Sequence, residues 1–289
     1  MESIKRILEI KEKGPESVSN EDIPLALGIT CQFINTNPKA QEVVREDLSA
    51  ILNIQGAEKY YVSIKNGKCE FGKGEIANPD FTLTTDLTTI SKMLLGQIDP
   101  SVAYFSGSFK AEGDLYRMIL YLEILDVAFQ LLEIINKDER VVLIKTEDMK
   151  KLFNVYARGV TIVDPEHIPL FFTVLTVFAN CNPEAQEYIS DEEQRIQIII
   201  KEVGNYLLEF KEGKMSWSEE LGENTTLKLE MDLKTSAQVV LDGDAVSAFM
   251  AGDISLEGNV ANGLFMQELI EIFLDYLNLK SKLIKKIRL

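Results

Sequence analysis

The side chains able to do chemistry are few and poorly spaced for it. The single histidine, His167, lies in Asp164-Pro165-Glu166-His167-Ile168-Pro169. A histidine there can act as a general base, a metal ligand or a helix cap. The residue 145 positions earlier is Asp22, so the two places share no catalytic or metal-binding histidine, and capping explains the site. Cys31, Cys69 and Cys181 lack CxxC spacing and sit in apolar or strand-like contexts, which suits a reduced interior better than a metal or redox site. Carboxylate runs such as Asp191-Glu192-Glu193 read as solvated surface. No GxSxG, HExxH, P-loop or paired Cys/His ligand set occurs, and Gly107 and Gly113 flank a strand without forming a phosphate loop. The expectation is a non-enzymatic protein with no metal and no cofactor.

The elements that would position any site are written twice. Asn35-Thr36-Asn37-Pro38-Lys39-Ala40-Gln41-Glu42 returns as Asn180-Cys181-Asn182-Pro183-Glu184-Ala185-Gln186-Glu187, an offset of 145 (182 − 37) in a chain of 289 residues. The same offset carries Gly14 to Gly159, Pro24 to Pro169, Phe33 to Phe178, Gly107 to Gly252 and Gly113 to Gly258. Solenoid repeats have periods of roughly 20 to 50 residues, so copies this long must each hold a core of their own. Two domains follow, 1–144 and 145–289.

Apolar residues make up 46% of the chain, but none of the runs reaches membrane-spanning length; the longest, Ile168 to Ala179, is too short. Against 46 Asp and Glu stand 30 Lys and Arg, a net charge of −16. That balance excludes nucleic acid as a partner, since phosphate binding needs clustered bases. Met1 leads into a charged amphipathic stretch rather than a signal peptide, and the terminal Ile287-Arg288-Leu289 has Ile where a peroxisomal signal needs a small residue, so a cytoplasmic, acidic protein is expected. One local reversal breaks the charge pattern. Lys280, Lys282, Lys285, Lys286 and Arg288 interleave with Leu279, Leu283, Ile284 and Ile287, a pattern fit for transient contact with an anionic membrane, though complementing a helix dipole explains the bases equally.

Each half opens with helical spacing (Ile4, Ile7, Leu8; Met149, Leu152, Phe153, Tyr156). A second helix begins near Pro24 or Pro169, and a third after Asn37-Pro38 or Asn182-Pro183, where Asn caps and Pro presets φ. Strands follow: Ser49 to Ile54, then Tyr60 to Lys65 and Lys68 to Gly72 around the hairpin signal Asn66-Gly67. In the second half the hairpin is Tyr206 to Lys211, Glu212-Gly213 and Lys214 to Ser218. A fourth strand ends at Asp86 or Asp232, each suited to cap a short helix; a fifth spans Gly107 to Gly113 or Gly252 to Gly258. Long helices close the halves, Asp114 to Asn136 and Asn259 to Leu279. The fold class is α+β, two tandem similar domains, each a five-stranded antiparallel-dominated sheet covered by helices.

One order of events is specific. Phe81-Thr82-Leu83-Thr84-Thr85-Asp86, Leu94-Leu95-Gly96-Gln97-Ile98-Asp99-Pro100 and Ala103-Tyr104-Phe105-Ser106-Gly107 through Gly113-Asp114 resemble the sterol carrier protein type two (sterol-binding domain) family. Leu229-Glu230-Met231-Asp232, Leu241-Asp242-Gly243-Asp244 and Ala248-Phe249-Met250-Ala251-Gly252 through Gly258-Asn259 match less closely. Gly96 to Gly107 spans eleven positions and Gly243 to Gly252 nine, so a shorter helix before the last strand is expected in the second half. The opening 45 or so residues of each half lie outside the resemblance.

The resemblance implies an apolar tunnel between sheet and helices, holding a fatty acyl, acyl-CoA, sterol or isoprenoid lipid for binding or transfer. Such a carrier needs only shape, since each buried methylene contributes about 0.8 kcal/mol. Candidate lining residues are Tyr104, Phe105, Met118, Leu122, Leu125 and Phe129 in the first half and Phe249, Met250, Leu264, Phe265, Leu269 and Phe273 in the second. Their spacing serves core packing as well as lining. The alternative function is a structural or regulatory oligomerisation module whose tunnels are filled by side chains.

Overall fold

The hairpin signals form where the residues require them. Asn66 and Gly67 both take positive φ (51° and 73°), as do Glu212 and Gly213 (54° and 66°), the two-residue turn whose twist matches the flanking strands. Lys65 pairs with Lys68, and Lys211 with Lys214. The computed structural model describes residues 2–44, 46–131, 142–159, 163–242 and 244–277. The chain divides into two compact units, Met1–Thr146 and Glu147–Leu289.

In the first unit, α1 (Glu2–Lys13), α2 (Asp22–Thr36) and α3 (Pro38–Val43) precede β1 (Leu48–Ile54), β2 (Tyr60–Lys65), β3 (Lys68–Lys73) and β4 (Phe81–Thr85). The short α4 (Leu87–Leu94) and α5 (Pro100–Phe105) lead to β5 (Phe109–Gly113) and the long α6 (Leu115–Leu131). The sheet order is β3-β2-β1-β4-β5. β1 runs parallel to β4 while the remaining neighbours are antiparallel, so the sheet is mixed and dominated by antiparallel pairs.

The second unit repeats the plan with α7 (Thr146–Arg158), α8 (His167–Cys181), α9 (Pro183–Ile189), β6 (Gln194–Ile200), β7 (Gly204–Lys211), β8 (Lys214–Ser218) and β9 (Leu227–Met231). It closes with α10 (Leu233–Asp242), α11 (Ala245–Ala251), β10 (Ser255–Gly258) and α12 (Val260–Tyr276). Its sheet, β10-β9-β6-β7-β8, is the same order read from the other edge. The parallel registers, Ala50 with Phe81 and Ile196 with Leu227, differ by 146 (196 − 50 and 227 − 81). One extra residue therefore lies between the Asn-Pro motif and the second sheet, and the offset returns to 145 before Gly252.

That return falls in a different place from the one expected. α11 has 7 residues against 6 in α5, so the helix before the last strand is not shortened. α10 has 10 residues against 8 in α4, and its extra length takes up the connection, leaving only residues 243–244 before α11 where the first half has 95–99.

Caps follow the sequence. Asp86 accepts from the Thr89 N–H at 2.8 Å, Asp232 from Thr235 at 2.7 Å and Asn182 from Ala185 at 3.1 Å. Asn35, whose role no cap explains, clasps the edge strand β3. Its amide donates to the Cys69 carbonyl at 2.9 Å and accepts from the Cys69 N–H at 2.8 Å. Asn180 does the same to Met215 on β8, at 2.8 and 2.9 Å. Each clasp ties the second helix to the sheet, and with it one wall of the space beneath.

Candidate functional site

Between the first sheet and its helices lies an apolar cavity of about 70 Å³. The floor is Leu52 and Ile54 of β1 with Leu83 of β4, neighbouring strands whose side chains on that face point away from solvent. Ile7 and Ile10 of α1, Ile23, Ala26 and Leu27 of α2, and Leu87, Ile90, Leu94 and Leu95 on and beside α4 form the walls. α6 contributes Tyr121 and Leu125, one helical turn apart and so on one face.

Polar groups on the wall are mostly committed. Asp22 accepts from Arg6 Nε at 2.8 Å and Nη2 at 2.9 Å, and from the Ser19 N–H at 2.8 Å. The Arg6 pair, with the Ser19 bonds adding to it, holds the Asp22 carboxyl down at about 2. Thr30 donates to the Ala26 carbonyl at 3.0 Å and Ser91 to the Leu87 carbonyl at 2.6 Å.

The matching place in the second half is nearly closed. There Leu152, Val155, Ile168, Phe171, Ala237 and Leu241 border about 20 Å³. The repeat offset of 145 accounts for part of the difference: Ala26 on the wall of the first cavity corresponds to Phe171 on the wall of the second. The Phe171 and Phe273 rings meet at 6.0 Å, and Phe273 packs edge-on against Phe178 at 5.1 Å. The phenyl group that Phe171 adds at the place of Ala26 narrows the matching space. His167, the counterpart of Asp22, borders this remnant and accepts at Nδ1 from the Asp164 N–H at 2.9 Å; this bond steadies the turn before α8 and is not a cap, since the N-cap residue Glu166 makes no side-chain capping bond.

Of the twelve lining residues expected from sequence, Leu125 borders the cavity. Tyr104, Phe105 and Met118 are buried outside it, with Tyr104 packing against Phe105 and Phe109; Leu122 is half-buried. The side chain of Phe129 lies outside the described residues. Phe265, Leu269 and Phe273 belong to the solid core of the second half. Phe249, Met250 and Leu264 are 40%, 78% and 53% exposed, which corrects their assignment to an enclosed tunnel: α11 and the first turn of α12 turn these faces outward. The basic residues from Lys280 to Arg288 also lie outside the described residues.

Sequence reasoning missed the walls given by α1, α2 and α4. An amphipathic stripe shows that a helix faces inward without showing whether the facing volume is filled. The readable signal was the size difference at one aligned position, Ala26 against Phe171.

Comparison with known proteins gives the same division. The profile of the SCP-2 sterol transfer family matches residues 35–123 and again 176–271, so α1 and most of α2 roof the cavity from outside the matched segment. Among solved structures, the ubiquinone synthesis protein UbiJ-SCP2 aligns at 13% identity over 36% of this chain and 96% of its own, with a TM-score of 0.33. Sterol carrier protein 2 from Yarrowia lipolytica aligns at 17% identity over 36% and 89%, TM-score 0.31. An inverting sec-alkylsulfatase from Pseudomonas sp. aligns at 11% identity over 53% of this chain but 21% of its own length, TM-score 0.32. No curated protein matches the chain.

Proposed function

The chain belongs to the SCP-2 sterol transfer family, with one family segment in each half, and from that premise we propose that it is a cytoplasmic, non-catalytic lipid carrier that loads its first half only. The observation that carries the reading is the pair of cavities, about 70 Å³ against about 20 Å³, at one aligned place. A lipid tail in the first cavity gains about 0.8 kcal/mol for each methylene removed from water. A cavity of about 70 Å³ is smaller than a whole acyl, sterol or isoprenoid body, so on this reading the helices over the first sheet yield as the ligand enters. The second half keeps the fold with only about 20 Å³ at the matching place, which favours the oligomerisation or regulatory reading for that half alone. Loading at an anionic membrane through Lys280, Lys282, Lys285, Lys286 and Arg288 belongs to the same proposal.

Native mass spectrometry of the full chain, purified and then offered lipid, tests it. One lipid equivalent per chain is expected. Two equivalents would show that the second half also loads, and none under saturating lipid would end the carrier reading.

A further inference from the structure

Cys31 and Cys69 stand 38 positions apart (69 − 31) without a redox motif between them, yet the fold brings them together. Cys31 lies on α2 and Cys69 on β3, both buried. The contacts on either side fix their approach. Three residues before Cys31, Gly28 carries the α2 backbone so near β3 that a Cβ there would stand 3.6 Å from the Phe71 ring. Four residues after it, the Asn35 amide holds both backbone groups of Cys69, at 2.8 and 2.9 Å. Residues three and four apart share a helix face, and Cys69 and Phe71, two apart, share a strand face. The two thiols meet in the middle of this contact, where the Cys69 S–H donates to the Cys31 sulfur.

The second half makes the same contact without thiols. Asn180 holds Met215 as Asn35 holds Cys69, and Thr176 (31 + 145) takes the place of Cys31. Packing at this junction therefore does not require a thiol pair. The pair occurs in the half with the larger cavity, on a helix that lines it with Ile23, Ala26, Leu27 and Thr30. We propose that Cys31 and Cys69 form a redox-sensitive site that closes to a disulfide on meeting a peroxide, fastening α2, a wall of the first cavity, to the sheet. The consequence for lipid exchange rests on the carrier reading; the disulfide does not.

The two sulfurs have distinct parts. The hydrogen bond from Cys69 holds the Cys31 thiol below its ordinary range against the opposing effect of burial, while donation and burial push Cys69 up. Cys31 is thus the attacking sulfur and Cys69 the resolving one. Their exposures of 6% and 5% leave an edge for an oxidant as small as peroxide. Cys31 gives up its proton and attacks one peroxide oxygen; the O–O bond breaks, and the departing hydroxide takes that proton and leaves as water. The Cys69 sulfur then attacks the sulfenic sulfur of Cys31, the S–O bond breaks, and hydroxide leaves with the Cys69 proton as a second water. Two thiols are oxidised to one disulfide and the peroxide is reduced to two waters. A dithiol reductant reverses the closure by exchange.

The test treats the full chain with hydrogen peroxide and follows thiol count, intact mass and non-reduced peptide maps. The count should fall from the three cysteines present to one, with loss of two hydrogens, a Cys31–Cys69 peptide link and recovery in dithiothreitol; Cys181→Ser should close the same link, and Cys31→Ser should not. Release of a pyrene-labelled alkyl alcohol should slow about tenfold on oxidation, as expected for a gated exit, and peroxide should leave release from Cys31→Ser unchanged. Three thiols surviving peroxide, sulfinic acid at Cys31 in place of the link, or a link through Cys181 would each overturn the site. A closed disulfide with unchanged release would overturn its control of the cavity. A probe that does not bind the unaltered protein would remove the carrier reading and that control with it, while the thiol count judges the disulfide by itself.

Discussion

Ala26→Phe transplants the filler of the second half into the first. Ala26 is on the cavity wall, and Phe171 at the aligned position closes the matching space. A cavity costs about 24 cal/mol per Å³, so filling about 70 Å³ stabilises by about 1.7 kcal/mol at best. Imperfect fit opposes this by about 1–3 kcal/mol, leaving the net change within about 2 kcal/mol of zero. Binding should suffer more. Excluding four methylenes at about 0.8 kcal/mol each removes about 3 kcal/mol, more than a hundredfold in Kd. Urea unfolding and 1-decanol titration of the same preparation measure the two effects separately. A variant that unfolds cooperatively within that stability range yet binds decanol within threefold of the unaltered protein would refute the assignment of the cavity as the lipid site.

Asn35→Ala should cost about 2 kcal/mol in urea unfolding, since it leaves the Cys69 N–H and carbonyl without their side-chain partner; a loss under about 0.5 kcal/mol would show that water replaces the clasp. Asp22→Asn should destabilise by about 2 kcal/mol near neutral pH, the equivalent of lowering the carboxyl from 3.8 to about 2. Because the folded-state value is depressed, that stabilisation is present above about pH 4 and is lost as pH falls through about 2, so the two proteins should converge in acid; a gap independent of pH would assign the loss to packing instead. Gly113→Ala should be strongly destabilising, because Gly113 sits at φ 107° with its missing Cβ directed onto the Asp80 carbonyl, and thermal unfolding that is unchanged would contradict this. Residues 1–144 and 145–289, produced separately, should each give a cooperative thermal transition; a disordered half would show that the two cores are interdependent.

Much of this protein was legible in its order of residues. The offset of 145 announced two domains, Asn66-Gly67 and Glu212-Gly213 located the hairpins, and Asp86, Asp232 and Asn182 marked caps that the structure realises. These features are local: a turn or a cap is decided within about four residues. The candidate site was less legible, because lining a cavity depends on what stands across it. Met118 and Leu125 share a helical stripe on α6, yet Leu125 borders the open space while Met118 is buried outside it. Phe249 and Met250 carry the same apolar character as Tyr104 and Phe105, yet α11 exposes them while α5 buries theirs. Side-chain chemistry and spacing determined where helices, turns and strands begin; only the tertiary arrangement decided that Ala26 borders an open space of about 70 Å³ while its counterpart Phe171 borders one of about 20 Å³, because packing volume is settled between residues distant in sequence.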